Sequence, residues 1–334
     1  QFFGQHGYLP NLVDLAHNVN MHGSFIAAGP NVRPQAPVAG IRAIDVAPTI
    51  AFLMGIPEPQ NARGKIRLDL LTGTSSLREI DILDISDYHG QLVPLTEASD
   101  SFGPVFAIGG AAFLKPWFDA YRAENPGRTI TLTAGDAVGA TPPISAAFGD
   151  KPTIELMNMM GFDLDGLGNH NFDRGEQYLR NELIPLANFK YVSANIVDPA
   201  TGEPPAEWSK SRNFDIAGVR IGIIGFSNED IPELTKPGSL GPFVVTNATA
   251  AVNQRAAQLN RQKGMGAIVA IGHHGATAGT LDNPSGPLID LADNVSNVDA
   301  VIGDHTNFQV VSHRPNGVLV TENLSKGVRF TRVR

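Results

Sequence analysis

The 334-residue sequence contains no cysteine, which excludes disulfide bonds, thiolate metal sites and cysteine nucleophiles. Any metal site must therefore use His, Asp, Glu or Asn side chains. The sequence also lacks an apolar run of about 18 residues, so no transmembrane segment is predicted. The chain begins at Gln1 without a basic region followed by an apolar one. A signal peptide, if the gene encodes one, is therefore expected to be removed or to lie outside this sequence.

Basic residues are scarce. There are 25 Lys and Arg residues against 33 Asp and Glu residues, which gives a formal net charge of −8. No stretch concentrates positive charge, so binding to duplex nucleic acid is not expected. The apolar fraction of 42%, with 35 Gly and 24 Pro, is typical of a loop-rich globular protein. Because single cores usually stop growing at about 250–300 residues, a main domain and a smaller one are predicted.

The first segment, residues 1–71, combines short apolar runs with many Gly and Pro residues. Residues 45–54 are predicted to form a helix that ends at Gly55. Residues 57–65 and 72–76 are polar and rich in helix-breaking residues, and they are predicted to form a linker region. The second domain is expected to span residues 72–334.

Within residues 72–334, short apolar runs alternate with helical patterns, which predicts an α/β fold. The strands are expected at residues 80–85, 129–133, 191–194, 220–224, 267–271, 300–302 and 317–321. The helices are expected at residues 110–124, 151–160, 175–187 and 249–263.

Polar residues that could bind metal follow four of these strands and the short run of residues 161–163, which gives five such loops. One loop alone is weak support, because Asp, Asn and Gly are also common turn residues. The recurrence of such loops after successive strands favours a shared site, since functional groups of open α/β sheets gather at the carboxyl ends of strands. Oxygen and nitrogen ligands of this kind suit a site with two metal ions. The first residues of the five loops are Asp87, Asp136, Asn169, His273 and His305.

These loops resemble the motifs of calcineurin-like metallophosphoesterases. More narrowly, the sequence is similar to the amino-terminal catalytic domain of the 5'-nucleotidase / UDP-sugar hydrolase / 2',3'-cyclic phosphodiesterase family. The resemblance implies a four-layer α/β/β/α sandwich with a small amino-terminal α/β appendage. The motifs are Asp87-x-His89, Gly135-Asp136, Gly168-Asn169-His170-Asn171-Phe172-Asp173, His273-x-Gly275, His305-x-Asn307, Gly109-Gly110-Ala111-Ala112 and Ser193-Ala194-Asn195-Ile196.

The resemblance implies two divalent metal ions, with Mn²⁺ or Zn²⁺ as the expected metals, and Asp136 as the carboxylate that bridges them. A metal-bound hydroxide would attack phosphorus, and His170 would assist the leaving oxygen. Asp173 could orient His170, although an acidic residue at a helix N-terminus is an equally good explanation of Asp173. The implied metal ligands are Asp87, His89, Asp136, Asn169, His273, His305 and Asn307.

The sequence departs from the family pattern in the last motif. The family commonly has Gly-His-x-His or Gly-His-x-Gln, whereas Asp304 precedes His305 here and Asn307 closes the motif. Asn still offers a carbonyl oxygen, but it has a shorter reach than Gln. The family also usually has Glu at the position of Asn171, which is not an implied ligand.

The amino-terminal segment resembles the carboxyl-terminal end of nucleotide pyrophosphatase/phosphodiesterases of the alkaline phosphatase superfamily. His6 matches the last zinc ligand of that family, but the nucleophile would lie before Gln1, so a structural appendage is the favoured explanation. The motifs are Gly4-Gln5-His6-Gly7-Tyr8, residues 21–30, residues 44–50 and Gly55-Ile56-Pro57.

The expected activity is hydrolysis of nucleotide phosphoesters. Two alternatives remain open: a broad or 2',3'-cyclic nucleotide phosphodiesterase, and a non-catalytic metal-binding surface module. Base recognition in the resembled family comes from a further carboxyl-terminal domain, so no substrate-binding residues are predicted here. Both resembled families imply an extracellular, periplasmic or cell-surface location.

Overall fold

The computed structural model describes residues 24–34, 38, 40–59, 61–98 and 105–334. The chain divides into two compact units, Gln1–Arg78 and Glu79–Arg334. In the described ranges, no helix is both long enough and apolar enough to cross a membrane.

The described part of the first unit is built around helix α1, Val46–Met54. A short 3₁₀ turn, Ala43–Asp45, leads into α1, and Gly55 ends it with a φ of 64°. Only glycine adopts this left-handed conformation without a steric penalty, so the predicted helix and its stop are confirmed. A single β-bridge joins Val32 to Leu71. Residues 1–23, which include His6, lie outside the described residues.

The predicted linker region is bound to this unit. The backbone N–H of Lys65 donates a hydrogen bond of 2.9 Å to the buried carboxylate of Asp45. The buried Thr74 hydroxyl donates to the carbonyl oxygen of Leu68 at 2.7 Å. Polar, breaker-rich sequence therefore does not mean a free linker here, because its backbone groups find partners around α1.

The second unit alternates strands with helices, as the sequence predicts. Its helices are α2 (Ala111–Glu124), α3 (Pro143–Ala146), α4 (Lys151–Met160), α5 (Glu176–Tyr178), α6 (Ile231–Leu234), α7 (Ala248–Leu259) and α8 (Pro287–Asn294). Its strands are β1 (Asp81–Ile85), β2 (Leu95–Ala98), β3 (Val105–Ile108), β4 (Thr129–Thr133), β5 (Leu164–Asp165), β6 (Lys190–Val192), β7 (Ile196–Val197), β8 (Trp208–Ser209), β9 (Ser211–Ile216), β10 (Val219–Phe226), β11 (Val244–Val245), β12 (Met265–Gly272), β13 (Ala278–Gly279), β14 (Pro284–Ser285), β15 (Ala300–Ile302), β16 (Val310–His313), β17 (Leu319–Glu322) and β18 (Thr331–Val333).

Two six-stranded sheets organise this unit. The first has the strand order β18-β1-β4-β5-β6-β8, and the second has the order β16-β17-β15-β12-β10-β9. Strands β1, β4, β5, β6 and β8 run parallel, with β18 antiparallel at one edge. In the second sheet β17, β15, β12 and β10 are parallel, and both edge strands are antiparallel.

Three apolar clusters hold these elements together. Ile82 and Leu132 of the first sheet share one cluster with Ile223 and Ile271 of the second. Side chains on the other face of the first sheet pack in a second cluster against side chains of α2 and α4, such as Phe118. Side chains on the other face of the second sheet pack against α7 and α8 in the third cluster. This arrangement explains why the strands are apolar throughout, since both faces of each sheet are buried.

The prediction of one continuous helix was wrong for one segment. Residues 175–187 do not form a single α-helix but divide into α5, a π-helical turn Leu179–Leu183 and a 3₁₀ turn Ile184–Leu186. Pro185 explains the break, because proline has no N–H to donate and its ring clashes with the preceding turn.

Candidate metal centre

The five predicted loops follow strands that lie side by side. β1, β4 and β5 are parallel neighbours in the first sheet, so the loops after them leave the same edge. β12 and β15 are parallel neighbours in the second sheet. The side chains of these loops form three overlapping groups of candidate ligand atoms, the third of which consists of Asp87, His273 and Asp304.

The first group contains Asp87, His89 and Asp136, whose ligand atoms all lie within 4.8 Å of one another. His89 Nδ1 is 2.9 Å from the carbonyl oxygen of Gly139, which can only accept a hydrogen bond. This contact places the ring proton on Nδ1 and leaves His89 Nε2, which is 3.8 Å from Asp87 Oδ1, able to bind a metal.

The second group contains Asp136, His273 and His305, with ligand atoms again within 4.8 Å of one another. His273 Nε2 lies 2.8 Å from Asp136 Oδ2 and 3.2 Å from His305 Nδ1. Asp136 belongs to both groups and is almost completely buried. It is therefore a buried carboxylate that these two groups share.

Asn169 presents a buried oxygen beside these groups. Its Oδ1 has no hydrogen-bond partner among the described residues, and the next residue, His170, donates its backbone N–H to Asp136 Oδ1 at 2.8 Å. A buried carbonyl oxygen without a partner costs about 1–3 kcal/mol, which a bound cation would remove. The orphaned oxygen and the mixed imidazole and carboxylate donors fit a divalent transition metal.

His170 and Asp173 form a pair at the rim of the centre. His170 Nδ1 is 2.9 Å from Asp173 Oδ2, and the His170 ring lies 5.1 Å from the His89 ring. The hydrogen bond to Asp173 is the largest influence on His170 and raises its pKa, although partial burial opposes the shift. Both side chains are about one-third exposed, at 34% and 39%, so a substrate can reach them.

The side chain of Asn307 is exposed, and in the described part of the chain no hydrogen bond or ion pair joins it to the other predicted ligands.

The backbone is strained at the predicted ligands. Positive φ angles occur at Asp87 (40°), His89 (45°), Asp136 (48°), His305 (90°) and Asn307 (55°). Residues other than glycine rarely adopt this conformation, and such strain often accumulates where side chains are held for function.

The charges of the centre are balanced by pairing. Burial would raise the pKa of Asp136, but the neighbouring His273 lowers it below its usual range. Burial would likewise lower the pKa of His273, and the attraction of Asp136 raises it instead. The pKa of His305 is lowered by burial and by the adjacent His273. An anionic carboxylate between imidazoles is a suitable environment for cations.

Two residues that organise these loops were not predicted from the sequence. Asn171 Oδ1 accepts hydrogen bonds from the backbone N–H groups of Gly168 (2.8 Å) and Asp136 (3.3 Å). Asp304 is fully buried and accepts from the backbone N–H groups of Asp87 (3.0 Å) and His305 (2.9 Å). Burial and the nearby Asp87 raise the pKa of Asp304. The available signal for both was their departure from the resembled family's usual residues.

No family model matches the chain. Among curated proteins, it is 29% identical to a cell wall protein of Listeria monocytogenes over 76% of the chain and 36% of that protein. It is 31% identical to the endonuclease YhcR of Bacillus subtilis, over 74% of the chain and 21% of that protein. It is also 31% identical to the probable 5'-nucleotidase of Treponema pallidum, over 69% of the chain and 37% of that protein. The chain thus spans less than two-fifths of the length of each relative.

Solved structures share the fold. The calcineurin-like phosphoesterase YfkN of Bacillus subtilis matches with a TM-score of 0.61 and 22% identity, over 76% of the chain and 83% of that structure. The NAD nucleotidase of Haemophilus influenzae matches with a TM-score of 0.62 and 23% identity, over 74% of the chain and 45% of that structure. The chain is therefore similar in sequence to a probable 5'-nucleotidase, and it shares the fold of a NAD nucleotidase and a calcineurin-like phosphoesterase.

Proposed function

We propose that this chain is a metal-dependent phosphoester hydrolase that acts on nucleotides and uses two divalent metal ions. The observation that carries the proposal is Asp136, a buried carboxylate that belongs to two of the three groups of candidate ligand atoms. Two cations about 3.5–4 Å apart need such a shared negative charge to offset their repulsion. The relatives include a probable 5'-nucleotidase and an endonuclease, both names that imply phosphoester substrates.

In this proposal, Asp87, His89 and Asp136 hold one cation, and Asp136, Asn169, His273 and His305 hold the other. Asn307 would complete the first site only if its loop brought it inward. Bound cations of this kind supply an activated water and neutralise phosphoryl oxygens. Mn²⁺ and Zn²⁺ both suit these ligands.

His170 has the geometry of a general acid in this scheme. Its Nδ1 faces Asp173, so Nε2 is the nitrogen free to meet substrate. The raised pKa of His170 keeps more of the imidazole protonated near neutral pH, ready to give its proton to the leaving oxygen. Asp173 therefore orients His170 and stabilises its charged form.

Several finer assignments belong to the same proposal. The three apolar clusters support a four-layer α/β/β/α sandwich for the second domain. We assign residues 1–71 to an appendage related to the phosphodiesterase end of the alkaline phosphatase superfamily, and residues 72–334 to the metallophosphoesterase domain. The cell wall relative supports an extracellular or cell-surface location.

A substrate panel tests the proposal. AMP, UDP-glucose, 2',3'-cyclic AMP and bis-p-nitrophenyl phosphate should be assayed with Mn²⁺ and with Zn²⁺, and metal-dependent hydrolysis of AMP is expected. Faster hydrolysis of 2',3'-cyclic AMP and bis-p-nitrophenyl phosphate than of AMP would favour the phosphodiesterase alternative, which the endonuclease relative supports.

The variant His170→Ala separates an enzyme from a metal-binding surface module. It should lower kcat by about 10²–10⁴-fold while metal content stays unchanged. If the wild-type chain binds two cations but hydrolyses none of the substrates, the surface-module alternative is supported and the proposed activity is wrong.

A further inference from the structure

The two ring nitrogens of His273 have different surroundings, and these surroundings indicate which nitrogen would bind metal. Its Nε2 is 2.8 Å from Asp136 Oδ2 and 3.9 Å from Asp87 Oδ1, so Nε2 faces the other ligand atoms. A nitrogen that binds a cation carries no proton. The ring proton of His273 must then be on Nδ1, on the opposite side of the ring.

A proton on His273 Nδ1 needs a hydrogen-bond acceptor. The side chain is completely buried, and in the described residues this nitrogen has no hydrogen-bond partner. A buried N–H donor is almost always paired in folded proteins. The carboxylate of Asp304 lies on this side of the ring, with its Oδ2 3.9 Å from Nδ1. A shift of about 1 Å would bring the two atoms to ordinary hydrogen-bond distance.

Asp304 is already fixed in place by the neighbouring loops. Oδ2 accepts from the backbone N–H of Asp87 at 3.0 Å, and Oδ1 accepts from that of His305 at 2.9 Å. Its own backbone N–H donates to the carbonyl oxygen of His274 at 3.0 Å. One carboxylate therefore contacts or faces the three loops that present Asp87, His273 and His305. Glycine, common at this position in the resembled family, has no such oxygen.

We propose that Asp304 is a positioning residue of the metal centre, which accepts the Nδ1–H of His273 and holds the backbones of Asp87 and His305. A carboxylate behind a ligating imidazole fixes its tautomer and makes it a stronger ligand. Asp304 also forms a group of candidate ligand atoms with Asp87 and His273, but each of its carboxylate oxygens already accepts a backbone N–H, which favours the positioning role. This inference rests on the metal centre of the proposed function.

The test compares Asp304→Asn with Asp84→Asn in the full chain. Asp84 is buried to the same degree, and both its carboxylate oxygens lack hydrogen-bond partners among the described residues. Titration calorimetry with Mn²⁺ should show affinity reduced by about 10–100-fold in Asp304→Asn, and unchanged affinity in Asp84→Asn. The absorption bands of the Co²⁺-loaded protein should also shift in Asp304→Asn alone.

Other outcomes separate the possible failures. If Asp304→Asn lowers only the melting temperature of the metal-free protein and binds Mn²⁺ as tightly as wild type, Asp304 is merely structural and the inference is overturned. If wild type binds no divalent cation, the proposed function fails and this inference fails with it.

A measurement on the wild-type chain does not depend on the folding of a variant. Nitrogen-15 NMR of the histidine rings in the Zn²⁺-loaded protein should show His273 protonated at Nδ1, with a proton that exchanges slowly. Metal coordination through Nδ1 would overturn the inference.

Discussion

Replacement of the shared carboxylate by Asp136→Asn tests the centre of the proposed mechanism. Asn has the same shape, and its carbonyl oxygen can still accept the backbone N–H of His170, which Asp136 Oδ1 accepts at 2.8 Å. The substitution therefore removes a charge while it preserves the hydrogen bond that shapes the loop. A metal-free variant that melts at the wild-type temperature would show that the fold is intact.

The expected loss follows from Coulomb's law. Two unit charges 4 Å apart interact by about 4 kcal/mol at an effective dielectric constant of 20. One negative charge that faces two cations is worth at least this much, and 1.4 kcal/mol corresponds to a factor of ten. The affinity for the second cation should fall by about 10³-fold, and turnover should fall by at least as much.

Calorimetry with Mn²⁺ and hydrolysis of p-nitrophenyl phosphate are the assays. The expected stoichiometry falls from two cations to one. Asp165→Asn is the matched control, because Asp165 is also a fully buried carboxylate but belongs to none of the groups of candidate ligand atoms among the described residues. Two cations bound with nearly wild-type affinity in Asp136→Asn, or turnover close to wild type, would refute the bridging role.

Three further predictions concern residues around this carboxylate. Asp173→Asn should lower kcat about tenfold without loss of metal, because the hydrogen bond that raises the pKa of His170 is weakened; an unchanged pH–rate profile would contradict this. Gly168→Ala should weaken metal binding, because the added Cβ would press on Asp136 Oδ1 and the His273 ring, and normal affinity would show that the loop yields easily. Burial raises the pKa of Glu322 from 4.5 to about 7, so the folded state binds its proton more tightly than the unfolded chain does. The contribution of Glu322 to stability should therefore decline by up to about 3 kcal/mol between pH 4.5 and 7, and urea unfolding of Glu322→Gln should lack this slope.

The sequence predicts the inner strands and the loops after them because their physical signals are local. Residues 129–133 are a β-branched run that is buried in the structure, and Asp136 follows directly. Edge strands such as β9 (Ser211–Ile216) and β18 (Thr331–Val333) were not predicted. Their residues alternate or are only half-buried, and their pairing depends on partners far away in the sequence.

The sequence predicts which residues form the candidate site, but it does not predict the contacts that orient their side chains. The proposed ligand side chains follow strands in a regular way, whereas their orientation depends on backbone atoms or distant residues. Gly139 supplies a carbonyl oxygen that fixes His89, and no side chain marks such a role. Asp304 reaches the backbone of Asp87 across 217 positions of sequence. Contacts of this range appear only when the two sheets are brought together.

The features that make this centre costly for folding lie where cations are proposed to bind. Strained φ angles at Asp87 and Asp136, an unpaired oxygen on Asn169 and closely packed imidazoles all oppose folding. They persist because the strands before them are anchored in a core shared by both sheets. The free energy of that core maintains ligand positions that the loops alone would not keep. Ligand geometry set in this way before a cation arrives needs little reorganisation when it binds, so more of the binding energy remains for holding the metal.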